Sequence, residues 1–184
     1  MTRLIAGVAR GRRLKVPRTG VRPTGDRARE GLFNSLTTLL DLDGARVLDL
    51  YAGSGAVGLE ALSRGAAEAV FVENGAGVLP VLRANIAAVG LPGAVVLPGS
   101  VPTVVAGAAS APFDLVFADP PYVTPVEQVQ EVLRSLVDRG WLTPDAVVVV
   151  ERSSRERVFE WPTPLEEVRD RRYGEAVLRY GRFP

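Results

Sequence analysis

A short acidic corner ends one of the apolar stretches of this chain, where residues 115–118 run directly into Asp119, Pro120, Pro121 and Tyr122. A residue before proline is held in the extended region and proline has no N–H, so the corner offers acceptors and few donors. The Asp119 carboxylate and the Asp119 and Pro120 carbonyls can accept both hydrogens of an NH2 group, on whose ring Tyr122 can stack. We therefore predict that Asp119, Pro120 and Tyr122 are catalytic residues acting on an exocyclic amine. The alternative is a strand-to-loop turn that uses Asp and Pro only as turn residues.

A glycine-rich loop upstream, residues 49–60, predicts a cofactor site. Its glycines let the backbone pass close under a ligand and open the next helix. Their spacing also matches the G-x-G-x-x-G dinucleotide pattern, so an NAD oxidoreductase is an alternative. Asp49 would repel a pyrophosphate and attract a cationic amino-acid group, which favours S-adenosylmethionine, and Glu73 can accept ribose hydroxyls. The predicted cofactor residues in this part of the chain are Asp49, Tyr51, Ala52, Gly53, Ser54, Gly55 and Glu73, with Asp119 across the crevice.

The composition excludes several kinds of chemistry. The 184 residues include no Cys and no His, which excludes disulfides, thiolate nucleophiles, Cys/His zinc sites and imidazole acid–base catalysis. With 47% hydrophobic and 23% charged residues, the chain can bury the core of one domain with a small appendage. We expect no metal, no membrane span and no signal peptide, and we expect a cytoplasmic monomer.

Charge is distributed unevenly along the chain. Residues 1–31 carry nine basic and two acidic side chains, a balance of +7, so with a net charge of +1 the remainder sums to −6. A basic segment on an acidic body is typical of nucleic-acid binding, although a solvated arginine-rich surface is the alternative. Contacts with nucleic acid are predicted at Arg3, Arg10, Arg12, Arg13, Lys15, Arg18 and Tyr122.

The hydrophobic pattern indicates the elements that position these residues. Two short strands at 3–7 and 12–16 predict a basic hairpin, and a linker at 17–21 leads to a helix with Thr24 as its N-cap. Strands then alternate with helices, which predicts an α/β parallel sheet covered on both faces and closed by a C-terminal hairpin. Strands are predicted at 46–50, 69–73, 94–97, 114–118, 146–151, 166–172 and 176–180, and helices at 57–63, 76–89 and 126–138, with a short helix within 97–112.

Two domains are predicted, a hairpin with its linker at 1–21 and a catalytic domain at 22–184. In an open α/β sheet, ligands bind at the carboxyl ends of the strands where the strand order reverses. The glycine loop follows the first parallel strand and Asp119 ends the fourth. We therefore expect the cofactor and the amine to share one crevice.

The Asp-Pro-Pro-Tyr corner resembles the motif of amino-nitrogen methyltransferases, which modify adenine N6, guanine N2 or a glutamine amide. Further stretches make the resemblance more specific: Arg3-Leu-Ile-Ala-Gly7, Gly11-Arg-Arg-Leu-Lys-Val-Pro17, Val21-Arg-Pro-Thr24, Asp26-Arg-Ala-Arg-Glu30, Leu32-Phe-Asn34, and residues 49–65 and 113–122. Together they resemble the bacterial 16S rRNA (guanine-N2)-methyltransferase family RsmD.

The resemblance implies a class I methyltransferase fold with a Rossmann-like seven-stranded sheet. It also implies methyl transfer from S-adenosylmethionine to one guanine of 16S rRNA, guanine 966, with the 30S subunit as partner. Arg22 and Thr24 are implied at the cofactor end of the site. At the adenine pocket, Gly99-Ser100 takes the place of the family's Asp and small residue, and the Ser100 hydroxyl is predicted to replace the carboxylate. Asn74 stands where an acidic residue often follows Glu73. A DNA adenine-N6 methyltransferase and a non-catalytic rRNA-binding assembly factor are the alternatives.

Overall fold

The computed structural model of the protein describes residues 1–18, 25–156 and 158–184. Each of the seven strands predicted for the main sheet is present. In chain order the elements are β1 (Thr2–Arg3), β2 (Arg13–Leu14), α1 (Asp26–Leu36), β3 (Arg46–Leu50), α2 (Ala56–Ser63), β4 (Glu68–Glu73), α3 (Leu79–Val89), β5 (Ala94–Pro98), α4 (Val101–Val105), β6 (Phe113–Ala118), α5 (Val126–Asp138), β7 (Leu142–Ser153), β8 (Glu166–Tyr173) and β9 (Ala176–Arg182).

The main sheet has the strand order β5-β4-β3-β6-β7-β9-β8. Strands β3 to β7 pair in parallel, whereas β9 is antiparallel to both β7 and β8. The order reverses between β3 and β6, which are direct neighbours. The glycine loop and Asp119 follow these two neighbouring strands, so the topology brings them to the same crevice, as predicted.

Two hydrophobic layers cover the two faces of the sheet. The first contains α1, α2 and α3, and the second contains α4 and α5. Successive residues of a strand alternate between the layers: Val47 belongs to the first, and Leu48 and Leu50 belong to the second. Because both faces are buried, the central strands are apolar at nearly every position. None of the helices in the described ranges is long and apolar enough to cross a bilayer.

The N-terminal hairpin has shorter strands than predicted. Only Thr2–Arg3 and Arg13–Leu14 pair, in place of the predicted 3–7 and 12–16. The backbone N–H groups of Ile5 and Ala6 instead donate to the carboxylate of Glu60 in α2, at 2.8 and 2.9 Å. A buried side chain of the body thus takes the hydrogen bonds that a longer strand ladder would have used. Leu4 and Leu14 are buried in the same layer as α1, α2 and α3.

Two helices begin later than predicted. In α1, Gly25 occupies the N-cap position, and the predicted cap, Thr24, lies outside the described residues, as does the predicted domain boundary between residues 21 and 22. Helix α3 begins at Leu79 rather than at residue 76, because two glycines precede it and Pro80 lies in its first turn, where proline needs no N–H partner.

Candidate active site

Four neighbouring strands place one polar residue each at the carboxyl edge of the sheet. Leu50 of β3 lies opposite Val72 of β4 and opposite Ala118 of β6, and Ala118 in turn lies opposite Val150 of β7. The next residue on each strand therefore falls in line across the sheet. In sheet order these residues are Glu73, Tyr51, Asp119 and Glu151, and we call them the edge row.

All four residues of the edge row line one cavity of about 1070 Å³. This volume lies at the upper end of the range for small-molecule sites and suits a cofactor together with an acceptor group. The predicted site residues among its lining are Lys15, Arg18, Tyr51, Glu73, Asn74, Asp119, Pro120 and Tyr122. The cavity therefore joins the predicted catalytic corner, one end of the predicted cofactor site and the last part of the basic segment.

Glu73 fixes the loop that follows β3. One carboxylate oxygen accepts the N–H of Gly53 at 2.8 Å, and the other accepts the N–H groups of Asn74 and Gly75 at 2.9 and 2.8 Å. A carboxylate has about four acceptor positions, so one remains for a ligand hydroxyl. Glu73 thus holds the glycine loop and contributes an acidic wall to the cavity.

Asp49 lies beneath the loop and not on the cavity wall. Its side chain is buried and accepts the N–H of Gly58 at 3.0 Å, which fixes the start of α2. Burial raises the pKa of Asp49 to about 8; the hydrogen bond from Gly58 lowers this pKa, and the nearby charge of Glu73 raises it. In the described structure Asp49 is therefore mostly protonated at pH 7. Its predicted attraction for a cationic group stays a prediction.

The glycine loop folds under the cavity with its backbone tightly packed. Gly55 has a φ of 82° and is the N-cap of α2, a conformation that favours glycine. A Cβ on Gly58 would lie 2.3 Å from the ring of Phe71, so only glycine lets α2 pack this closely on β4. Ala52, Gly53 and Ser54 are buried in this loop, below the lining residues.

A buried arginine supports the loop of the acidic corner. Arg152 donates to the carbonyl oxygen of Thr124 at 2.9 Å and pairs with Glu156 at 2.7 Å. The N–H of Thr124 donates to the carbonyl of Pro121 at 2.8 Å, which closes the turn after the two prolines. In this arrangement Pro120 is buried while Tyr122 is exposed at the rim of the cavity.

Tyr51 has a φ of 60°, which is unusual for a residue other than glycine. It follows the last residue of β3 and turns the chain from the strand into the glycine loop. Burial raises the pKa of Tyr51, and the positive charge of Arg152 lowers it. The phenol therefore lies in a half-buried position between the glycine loop and the acidic corner.

A buried asparagine connects the basic segment to the glycine loop. The side chain of Asn85 in α3 accepts the N–H of Lys15 at 2.8 Å and donates to the carbonyls of Lys15 and Ser54, both at 2.9 Å. Lys15 and Arg18 are exposed and line the cavity, so both lie at its mouth. The other predicted arginines lie elsewhere on the surface: Arg3 and Arg10 line a separate cavity of about 380 Å³, Arg12 donates to the carbonyl of Ala88, and Arg13 is exposed.

Among the described residues, six of the predicted cofactor residues do not line the cavity: Asp49, the loop residues Ala52, Gly53, Ser54 and Gly55, and Ser100. Ser100 is the N-cap of α4, where its oxygen accepts the N–H of Thr103 at 3.4 Å and its hydroxyl donates to the Thr103 oxygen at 2.7 Å. Arg22 and Thr24 lie outside the described residues. The described ranges hold no group of three or more side chains that could bind a metal ion.

Comparison with known proteins identifies the family. A family model described as Conserved hypothetical protein 95 matches residues 2–182. Ribosomal RNA small subunit methyltransferase D of Escherichia coli K12 is 38% identical over 178 residues, which cover 96% of this chain and 87% of that protein. The chain belongs to this family, the RsmD family.

A second relative and one solved structure agree with this assignment. The Haemophilus influenzae protein of the same name is 36% identical over 153 residues, which cover 81% of this chain and 77% of that protein. The solved structure of yhhF from Escherichia coli is 36% identical, covers 98% of this chain and 97% of its own, and gives a TM-score of 0.87. The resemblance to RsmD and the class I methyltransferase fold that it implied are confirmed.

Glu151 lines the cavity but was not predicted as a site residue from the sequence. Glu151 is 6% exposed, ends the apolar run 147–150 of β7 and lines the cavity beside Asp119. The sequence contained a signal for it, because an acidic residue directly after the apolar run of a predicted parallel strand occurs three times, at Glu73, Asp119 and Glu151.

Proposed function

We propose that the protein transfers a methyl group from S-adenosylmethionine to the exocyclic N2 of a guanine in 16S rRNA, within the 30S subunit. The observation that carries this proposal is the edge row: Glu73 at the predicted cofactor end and Asp119 at the predicted amine end line the same cavity. The relatives are named as methyltransferases of the small-subunit ribosomal RNA, which supports rRNA as the substrate.

The residues that line the cavity fit S-adenosylmethionine. The cavity wall is acidic at its Glu73 end, which suits a positively charged cofactor. The free acceptor position of Glu73 can take a ribose hydroxyl, and the N-terminus of α2 begins directly behind the loop that Glu73 holds. We assign cofactor contacts to Glu73, Tyr51 and Asn74 on the wall. Contacts with Arg22, Thr24, Asp49, Ala52, Gly53, Ser54, Gly55 and Ser100 stay predictions from the sequence.

When bound, S-adenosylmethionine supplies a methyl group whose bond to sulfur breaks as the N2 lone pair forms the new C–N bond. The Asp119 carboxylate and the Pro120 carbonyl accept hydrogen bonds from the two N2 hydrogens. These hydrogen bonds direct the N2 lone pair toward the methyl group. Positioning and electrostatics provide most of the rate enhancement in such a displacement. Asp119 also holds the proton that N2 loses after transfer, until that proton passes to water.

The rim of the cavity is suited to an extruded base of a folded RNA. Tyr122 is exposed there and can stack on the guanine ring after the base leaves its helix. Lys15 and Arg18 at the mouth can neutralise the phosphates on either side. The 30S subunit in the cytoplasm would present such an RNA surface.

The test is methyl transfer from labelled S-adenosylmethionine to 30S subunits that lack the modification, followed by nucleoside analysis. Label in N2-methylguanosine is the expected result. Label in N6-methyladenosine would replace the substrate and keep the amine chemistry. Cofactor binding with no transfer to any nucleic acid would favour the assembly-factor alternative.

A further inference from the structure

Glu151 occupies the position next to Asp119 on the neighbouring strand. Ala118 and Val150 are paired in the β6–β7 register, so Asp119 and Glu151 are the next residues on two adjacent parallel strands. Neighbouring strands lie about 5 Å apart, so the two backbones approach to about this distance. A planar base held by Asp119 is therefore within reach of Glu151.

The two side chains also belong to the same face of the sheet. Leu115 and Phe117 of β6, and Val147 and Val149 of β7, all pack in the first hydrophobic layer. Because side chains alternate along a strand, Asp119 and Glu151 continue this same face. Both residues line the cavity.

The chemistry of the bases gives this second carboxylate a use. Guanine, adenine and cytosine all carry an exocyclic amine. In guanine a ring N–H donor, at N1, lies next to that amine, whereas the neighbouring ring nitrogens of adenine and cytosine are acceptors. A carboxylate beside the amine-binding group attracts guanine and repels the lone pairs of the other two bases.

We propose that Glu151 accepts the N1–H of the target guanine and thereby selects guanine over adenine. This inference rests on the proposed function, since it assumes that Asp119 binds the N2 amine. Glu151 is only 6% exposed, so little water screens the repulsion between its carboxylate and the N1 acceptor of a base that lacks this donor. Sites that hydrogen-bond a substrate N–H can reject analogues without it by ~10⁴-fold.

The experiment compares two acceptors at the methylated position, once that position has been mapped. Small subunits are reconstituted with 16S rRNA that carries either guanosine or 2-aminopurine there; 2-aminopurine keeps the 2-amine but has an acceptor at N1. The ratio of kcat/KM for the two acceptors is measured for the wild type and for Glu151→Gln and Glu151→Asp. A glutamine can donate to the N1 acceptor, and an aspartate keeps the charge on a shorter chain.

For the wild type we expect a ratio of at least ~100 in favour of guanosine, which Glu151→Gln should lower at least ~10-fold. Glu151→Asp should retain a ratio between those of the wild type and Glu151→Gln. If Glu151 had only a structural role, its substitution would lower kcat/KM equally for both acceptors and leave their ratio unchanged. The dissociation constant for S-adenosylmethionine serves as the folding control and should stay within about threefold, because Glu151 lies at the end of the edge row away from Glu73. Glu167→Gln, on the exposed face of β8, is the matched control variant.

An unchanged ratio in Glu151→Gln, or a wild type that uses both acceptors equally, would overturn the inference while leaving the proposed function intact. A wild type that forms no N2-methylguanosine would overturn the proposed function, and the inference with it.

Discussion

The carboxylate of Glu73, at the end of β4, accepts the backbone N–H of Gly53, in the loop that follows the neighbouring parallel strand β3, at 2.8 Å. The same carboxylate holds the N–H groups of Asn74 and Gly75. Glu73 therefore determines the shape of the loop and the charge of the cavity wall at the same time. We therefore expect a substitution of Glu73 to change the affinity for the cofactor more than the rate of methyl transfer.

Substituting Glu73 by glutamine should weaken cofactor binding selectively. A glutamine is neutral and has one acceptor oxygen in place of two, so all three backbone N–H groups lose a charged partner and at least one of them loses its acceptor. We expect the dissociation constant for S-adenosylmethionine to rise ~10-fold or more, with kcat at saturating cofactor nearly unchanged. Isothermal titration and steady-state kinetics measure the two effects. Glu68→Gln, at the other end of β4, is the control, and equal dissociation constants for both variants would contradict this role.

The buried Asp49 should make stability depend on pH. Its pKa is about 8 in the folded protein against an ordinary value of 3.8, so between these pH values the folded state holds a proton that the unfolded state has lost. The contribution of this group is therefore fully present below about pH 4 and is lost as the pH rises toward 8. The slope is up to ~1.4 kcal/mol per pH unit.

Asp49→Asn removes this titration and keeps an oxygen that can accept the Gly58 N–H. The free energy of unfolding of the wild type minus that of the variant should therefore decrease from pH 5 to pH 8. Urea denaturation at several pH values measures this difference. Parallel stability curves for the two proteins would show that Asp49 does not titrate in this range.

The two cations at the cavity mouth should contribute to RNA binding through phosphate contacts. Replacing both Lys15 and Arg18 by glutamine should reduce the slope of log K against log salt by about 1.4 to 1.8, since each phosphate contact contributes ~0.7–0.9. Filter binding to 30S subunits at several salt concentrations measures the slope. Arg139→Gln, just after α5 in the second layer, is the control. An unchanged slope in the double variant would show that the RNA phosphates contact other residues.

Point substitutions are preferable to deleting the basic segment. Leu4 and Leu14 are buried in the core, and Glu60 is a fully buried carboxylate whose partners include Ile5 and Ala6. A deletion would expose that core and remove partners of a buried charge, which is strongly destabilising. Loss of RNA binding by a truncated chain would then report on folding as well as on contacts.

Much of the fold could be predicted from the sequence because its determinants are local. The apolar runs that end at Glu73 and Ala118 mark parallel strands, and the glycines at 55 and 58 mark the turn into α2. The strand order at the switch point follows from general rules of α/β topology. The end of β6 at the Asp-Pro-Pro-Tyr corner could be predicted because two successive prolines cannot continue the strand ladder, whereas the catalytic role of the corner stays a prediction.

The remaining features depend on contacts between distant parts of the chain. The hairpin strands are short because Glu60, more than 50 residues away, takes the N–H groups of Ile5 and Ala6. Asp49 lies beneath the loop because its partner is Gly58 in the tightly packed α2. The place of Glu151 follows from the β6–β7 register, which depends on how the strands pair and cannot be read from either strand alone.

The most direct test of the account is single-turnover methyl transfer to 30S subunits by wild type and Asp119→Asn with S-adenosylmethionine prebound. An asparagine keeps one acceptor oxygen but carries no negative charge and cannot take the proton that N2 loses, so it directs the N2 lone pair more weakly than the carboxylate does. We expect the rate of N2-methylguanosine formation to fall ~100-fold or more while the cofactor dissociation constant changes less than about threefold. A variant that transfers the methyl group at the wild-type rate would contradict the assignment of Asp119, and with it the proposed site.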